Sequence, residues 1–162
     1  MSIRIRPATE SDVPLILDLI RGLADYEKLS HQCIANESLL RYNLFGPRPY
    51  AESLIGELDA VPVGFALFFH NFSTFLARPG IYLEDVFVRP EHRGRGVGAA
   101  LMQAVARITV DRGCGRFEWS VLDWNESAIG FYKSRGADVM PDWRICRLTD
   151  DALAALAGEK PG

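Results

Sequence analysis

Two neighbouring stretches of this 162-residue chain carry residue types able to do chemistry. In GIYLEDVFV, residues 80–88, Glu84 and Asp85 stand side by side in an otherwise apolar, strand-like run. Strict alternation along a strand puts Glu84 on the face of Tyr82, Val86 and Val88 and Asp85 on the opposite one, so one carboxylate is expected per face. A carboxylate held there can take a proton from a reacting group; composition alone fits a solvated pair of acids equally well. HRGRGVGAAL, His92 to Leu101, then packs three glycines and two arginines ahead of a helix-forming run. Glycines between a strand and a helix let the main chain approach a ligand and aim successive amides at one spot, which favours an anion. Arg93 and Arg95 add forked cationic donors suited to phosphate. The expected ligand is a phosphate or pyrophosphate group, against the plainer reading of glycines serving a tight turn.

Three other phosphate or nucleic-acid readings fit less well. Gly94, Gly96 and Ala99 formally match the dinucleotide fingerprint, with Glu118 as a ribose-binding acid, but five residues, Arg89 to Arg93, intervene between strand and first glycine. No Gly-Lys-Ser/Thr follows, as a Walker A loop requires. A single Arg-Gly-Arg-Gly in an acidic chain lacks the aromatic interleaving of a nucleic-acid contact.

The elements that must position these residues follow from periodicity. Ile3 to Arg6 alternates apolar and basic residues as a first strand closed by Pro7, and Thr9 is placed to cap the helix after it. Val13, Ile16, Leu17, Ile20, Leu23 and Ala24 form one core-facing stripe. A short helix is expected from Asn36 to Leu44, before the breaker Gly46-Pro47-Arg48-Pro49. YAESLIGEL, VGFALFFHNF and GIYLEDVFV read as an antiparallel meander. A helix from Gly98 to Arg112 ends at Gly113, RFEWSVL is a strand, Asn125 caps a helix through Ser134 ended by Gly136, and WRICRL reads as a last strand before an alanine-rich tail. The economical reading is one α+β domain over 1–162, its tail at 158–162 mobile.

A formal charge of −3, with 48% hydrophobic and 24% charged residues, gives no electrostatic reason to expect nucleic acid. The N-terminal residues MSIRIRPATESD lack an apolar stretch, and no run of about 18 apolar residues occurs, so no membrane partner and a cytoplasmic location are expected. Cys33, Cys114 and Cys146 suggest buried or half-buried thiols rather than a disulfide framework or zinc site. His31, His70 and His92 form no visible metal or nucleophile set, and no metal is expected.

The run Arg93-Gly94-Arg95-Gly96-Val97-Gly98 resembles the R-x-x-G-x-G/A pyrophosphate loop of the GNAT superfamily of N-acetyltransferases, and Asn125 with GFYKSRGA resembles its second conserved region. IRPAT, YEKLS, YLEDVFV, VLDWN and FYKSRGA together resemble the diamine (spermidine/spermine) branch, and YEKLS with GCGRFEWSVLDWN its thialysine acetyltransferases. The resemblance covers nearly the whole chain. It implies the acyl-CoA N-acyltransferase fold, a mixed, mostly antiparallel central sheet with helices on both faces, and acetyl-CoA as co-substrate. It also implies direct transfer to a small primary amine and a homodimer.

Carried onto this sequence, the resemblance implies Glu84 as base through a water and Tyr132 as acid for the departing thiolate. Arg93, Gly94, Arg95, Gly96, Val97 and Gly98 would grip the pyrophosphate, while the main chain of Phe87 and Val88, with Asn125, Ser127 and Lys133, would contact the coenzyme. Phe131 is left to the core. Tyr26, Glu27, Asp85, Asp123, Trp124 and Trp143 are candidates for carboxylates and aromatic faces around a cationic amine. Lys28 and Ser30-His31 stand where polyamine enzymes are more acidic, and Asn71 where they carry an acid, which favours a short amine. Polyamine acetylation and a non-catalytic coenzyme-binding sensor remain the alternatives.

Overall fold

The computed structural model describes residues 1–160 and divides the chain into two compact units, 1–120 and 121 onward. In the first unit, β1 (Ile3–Pro7), β2 (Glu52–Leu58), β3 (Val61–Ser73), β4 (Arg78–Val88) and β5 (Phe117–Trp119) form one sheet in that order. The first four strands pair antiparallel, and β5 joins β4 in parallel. The expected meander is present, extended on one side by β1 and on the other by a β5 shorter than RFEWSVL.

Helices cover both faces. Helix α1 (Val13–Tyr26) and helix α2 (Glu37–Phe45) bury Ile16, Leu19 and Leu44 against Ile55, Phe65 and Phe87. Leu19, outside the anticipated stripe, is fully buried, whereas Ile20 and Leu23 are half-buried at its edge. Asn36 caps α2 through a bond from the Leu39 amide to its Oδ1, 2.8 Å. On the opposite face α3 (Val97–Asp111) seats Val97, Leu101 and Val105. It lies so close that a Cβ on Gly56 would stand 2.8 Å from Val97 Cγ1. A side chain at position 56 would push that helix outward.

Arg6 ties β1 to both neighbours. Its Nε donates to Glu57 Oε1 at 2.7 Å, and its two terminal nitrogens donate to the Asp12 carboxylate at 2.8 and 2.9 Å. Asp12 also accepts the Thr9 amide at 2.8 Å, so Thr9, the N-cap foreseen from sequence, and Asp12 together organise the 3₁₀ turn 10–12 leading into α1. Its hydrogen bonds to Arg6 hold the Asp12 carboxyl down at about 2.

In the second unit, Asn125 accepts the Ala128 amide at 3.2 Å and caps α4 (Glu126–Ser134), which ends at Gly136 with φ +91°. The strand expected at WRICRL is not formed: residues 143–148 carry no ladder, and Trp143 is 77% exposed. Its alternation is that of a strand, but a strand requires a neighbouring edge to pair with. The alanine-rich tail forms α5 (Asp150–Leu156). Of the expected mobile tail, residues 158–160 follow α5, with Gly158 and Glu159 still bonded back to Ala155 and Ala154, and 161–162 lie outside the described residues.

Arg6→Met leaves the buried Asp12 carboxylate without its cation and Glu57 with only Arg4 at 3.8 Å, and is expected to cost about 3–5 kcal/mol at pH 7. The depressed Asp12 adds stability above its ordinary value near 4 and loses it as pH falls towards 2. Urea unfolding at pH 7 and pH 3 should therefore show the deficit shrinking in acid.

Candidate active site

The glycine loop is built from the end of β4 onward. After Val88 the chain makes a 3₁₀ turn, residues 90–92, and reaches Gly94 at φ +75° and Gly96 at φ +90°. Both lie in the left-handed region that a Cβ disfavours. Gly96 is the N-cap of α3, and the first helical bond runs from the Ala100 amide to the Gly96 carbonyl. The amides of Val97, Gly98 and Ala99 therefore precede the helix's own bonding, at the positive end of a 15-residue helix. This geometry, with the exposed Arg95 beside it, fits the pyrophosphate of a coenzyme.

Arg93 departs from expectation. Its Nε donates to the Val88 carbonyl at 3.0 Å, and its guanidinium carbon lies 4.3 Å from the Tyr26 ring centroid and 5.4 Å from that of Phe87. The side chain is turned to the end of α1, where an aromatic face attracts it. The residue as a whole stays exposed, and among the described residues only the Nε of its side chain has a hydrogen-bond partner.

The two acids of β4 also depart from simple alternation. Across the β3–β4 ladder Leu67 stands opposite Asp85 and Phe68 opposite Leu83, so Glu84 is an extra residue, a β-bulge. Phe65 faces Phe87 and Phe69 faces Tyr82 on the α1 side of the sheet. Asp85 and Tyr82 consequently share that face, while Val86 and Val88 lie on the α3 side. The alternation that grouped Tyr82 with Val86 and Val88 is broken at the bulge, and Glu84 is exposed there.

Three carboxylates gather around this feature. Burial, then the negative charges of Glu84 and Glu27, push the Asp85 carboxyl up to about 7. Burial and the charge of Glu84 likewise raise Glu27. Glu27 is positioned by the C-terminal reversal of α1: Leu29 N–H bonds to the Ala24 carbonyl and Lys28 N–H to that of Asp25, with Lys28 at φ +62°. That is a Schellman turn made without glycine. Clustered carboxylates that raise one another's proton affinity form a receptor for a cation. Beside them, β5 pairs with β4 only over Ile81–Leu83, so among the described residues that ladder stops before Glu84, and further along the Val88 carbonyl is taken by Arg93.

The remaining candidates belong to the second unit. Tyr132 lies in the last turn of α4 beside Lys133, its carbonyl accepting the Arg135 and Ala137 amides, and Ser127 lies in the first turn. Its ring meets that of Phe131 edge-on at 5.7 Å. Phe131 is exposed rather than core, with the Arg135 guanidinium 4.1 Å from its ring centroid. Asp123, Trp124 and Trp143 are exposed, and Asn125 is held as the cap of α4 by its bond from the Ala128 amide.

Of the three histidines, His70 has structural partners, while His92 Nδ1 is buried with no hydrogen-bond partner among the described residues. His70 Nδ1 donates to the Gly80 carbonyl at 2.9 Å and its Nε2 accepts from Arg112, which also forks onto Glu52. All three cysteines are free, Cys146 exposed rather than half-buried. Among the described residues no group of three His, Cys, Asp or Glu is arranged to hold a metal ion. Sequence reasoning missed the Arg93–Tyr26 contact, a pairing 67 positions apart with no local signal.

The sequence matches the Acetyltransferase (GNAT) family over residues 21–137. It is 40% identical to a thialysine N-epsilon-acetyltransferase of Sus scrofa, covering 98% of this chain and 99% of that one. It is 38% identical to L-ornithine N5-acetyltransferase NATA1 of Arabidopsis thaliana over 94% of this chain and 87% of that one. Among solved structures, an integron cassette protein from the mobile metagenome of V. cholerae superposes with a TM-score of 0.79 at 24% identity, covering 97% of this chain and 98% of that one. A glycine loop that offers helix-end amides after a bulged, acidic strand, on a fold of this topology and with relatives this similar, leads to one conclusion: the chain belongs to the acetyltransferase (GNAT) family and is an enzyme of that class.

Proposed function

We propose that the protein transfers the acetyl group of acetyl-CoA directly to the primary amine of a short lysine-like or diamine substrate, with residues 1–162 acting as one domain. The observation that carries this reading is the juxtaposition on β4 of a carboxylate cluster, at Glu84 and Asp85, with the glycine loop that follows Val88. Donor and acceptor requirements thus meet within a few residues. In this reading the amides at 97–99 and Arg95 hold pyrophosphate, and the pantetheine arm lies along β4 at Phe87 and Val88 as an added strand would. Asn125, Ser127 and Lys133 complete the coenzyme contacts on the grounds of family resemblance.

The chemical obstacle is protonation. A lysine-like amine has a pKa near 10.4, so at physiological pH only about one molecule in a thousand is nucleophilic, a handicap of roughly 4 kcal/mol. Glu27 and Asp85 attract the ammonium, Glu84 takes its proton through a water, and the neutral amine attacks the thioester carbonyl. The tetrahedral adduct collapses with loss of the coenzyme thiolate, which Tyr132 protonates; a phenol of pKa near 10 is a suitable donor. Asp123, Trp124 and Trp143 are proposed as further contacts to the amine.

The names of the two relatives, thialysine and ornithine, denote small amino acids with a terminal amine. Polyamine acetylation has weaker support: the human spermidine/spermine N(1)-acetyltransferase-like protein 1 is 29% identical, and the aligned region spans 24% of it. Three free cysteines fit a cytoplasmic location, and a homodimer is proposed from the family resemblance.

Thiol release from acetyl-CoA, followed with lysine analogues, short diamines and polyamines, should be fastest with a short amine. Glu84→Gln and Tyr132→Phe should each lower kcat by roughly 10²–10⁴. Tight coenzyme binding without turnover of any amine would leave the sensor reading in its place.

Asp85 yields a separate expectation. Its folded value near 7 exceeds the ordinary one near 4, so the folded state keeps a proton that the unfolded chain gives up, and stability falls as pH rises between those values. Asp85→Asn, which has no proton to lose, should therefore be stabilised relative to the parent at pH 8, the gain fading towards pH 4 in parallel urea titrations. Gel filtration should return the mass of a dimer, about twice the 18.1 kDa of the chain; a monomer at working concentration removes the dimer.

A further inference from the structure

We propose that Arg93 is a positioning residue of the acceptor side: its guanidinium fixes Tyr26 and the end of α1, and through them Glu27, instead of serving the pyrophosphate cradle from which it springs. This rests on the acetyl-transfer reading above and deepens it.

The side chain is held at three points within the first unit. Nε donates to the Val88 carbonyl at 3.0 Å, and the guanidinium lies over Tyr26, 4.3 Å from its centroid, and beside Phe87 at 5.4 Å. A planar guanidinium between two rings and a carbonyl is oriented in a way that a flexible ammonium is not. Tyr26 is the last residue of α1, and the Schellman reversal at Lys28 fixes the direction in which Glu27 leaves that helix. Glu27 in turn feels the charge of Glu84 and acts on Asp85. A continuous path therefore runs from the glycine loop through Arg93 and Tyr26 to the carboxylates that attract the amine. Arg95, exposed on the same loop, remains for phosphate.

The two possible roles of Arg93 predict opposite outcomes. If it positions the acceptor wall, Arg93→Ala and Tyr26→Leu each lower kcat/KM for the amine by about two- to fivefold, the size of a lost exposed cation–π contact of about 0.5–1 kcal/mol. The double variant is then no worse than either single one, because both remove the same contact. Arg93→Lys, which keeps the charge and loses the planar fork, fails to restore the rate. CoA affinity, titrated calorimetrically without amine, changes less than about threefold. If Arg93 is a pyrophosphate ligand, the CoA Kd rises about tenfold in Arg93→Ala, Arg93→Lys largely restores it, and the amine KM is unchanged; that result overturns the proposal, as do additive effects of the two single changes.

Hydrogen exchange supplies a readout that needs no turnover. In Arg93→Ala the amides of residues 23–29 should exchange faster while those of 94–98 are still protected by added CoA; unchanged exchange at 23–29 overturns the proposal. A parent enzyme that acetylates no amine would sink the acetyl-transfer reading, and the CoA titration and exchange at 23–29 would still decide what Arg93 holds. Arg93→Lys carries both measurements should the alanine variant unfold.

Discussion

One residue more on β4 than on β3 determines how the carboxylates of this molecule are arranged. The bulge at Glu84 interrupts a ladder that is otherwise regular from Gly64 and Val88 to Ser73 and Arg78. Without it Asp85 and Tyr82 would fall on opposite faces. With it, Asp85 turns to the α1 side opposite Leu67, into surroundings dry enough to raise its proton affinity, while Glu84 stays exposed at the break. A bulge gives up regular ladder pairing locally, and such features recur next to reactive sites because they re-aim side chains. Here two consecutive acids with different solvation result from one extra residue.

The rest of the first unit supplies rigid support on both sides of that break. On one face α1 is anchored at its start by Asp12 and Arg6 and reversed at its end by the turn through Lys28, so Glu27 is carried on a helix held at both ends. On the other face α3 lies tightly on Gly56 and presents its first amides at the glycine loop. Arg93 joins the two arrangements, since it belongs to the loop by sequence and to the end of α1 by contact. Electrostatic preorganisation depends on fixed groups, and these groups are fixed by packing and main-chain bonds rather than by one another alone.

Local chemistry made much of this legible in the chain. The helix from Asn36, the meander, the capping Asn125 and the left-handed glycines at 96, 113 and 136 are short-range consequences of side-chain shape and hydrogen bonding, and each occurs where those rules place it. The glycine loop and its anion preference are local for the same reason. WRICRL failed because alternation states only which residues would share a face, whereas a strand exists only where another edge takes its amides. Phe131 failed because an apolar residue next to an arginine can be covered by that neighbour's guanidinium instead of a core.

The sequence by itself thus determined the order of elements, the phosphate-suited loop and the identity of the acids available, all properties of residues a few positions apart. Tertiary structure alone decided which of those acids is half-buried and which exposed, where Arg93 points, and that Glu27 stands within electrostatic reach of Glu84 and Asp85. The physical reason is that a bulge is defined by the register of a partner strand and a pKa by the surroundings that folding assembles. Neither the ladder that misaligns at Leu67 and Phe68 nor the helix end that meets Arg93 is written in the residues adjacent to the site.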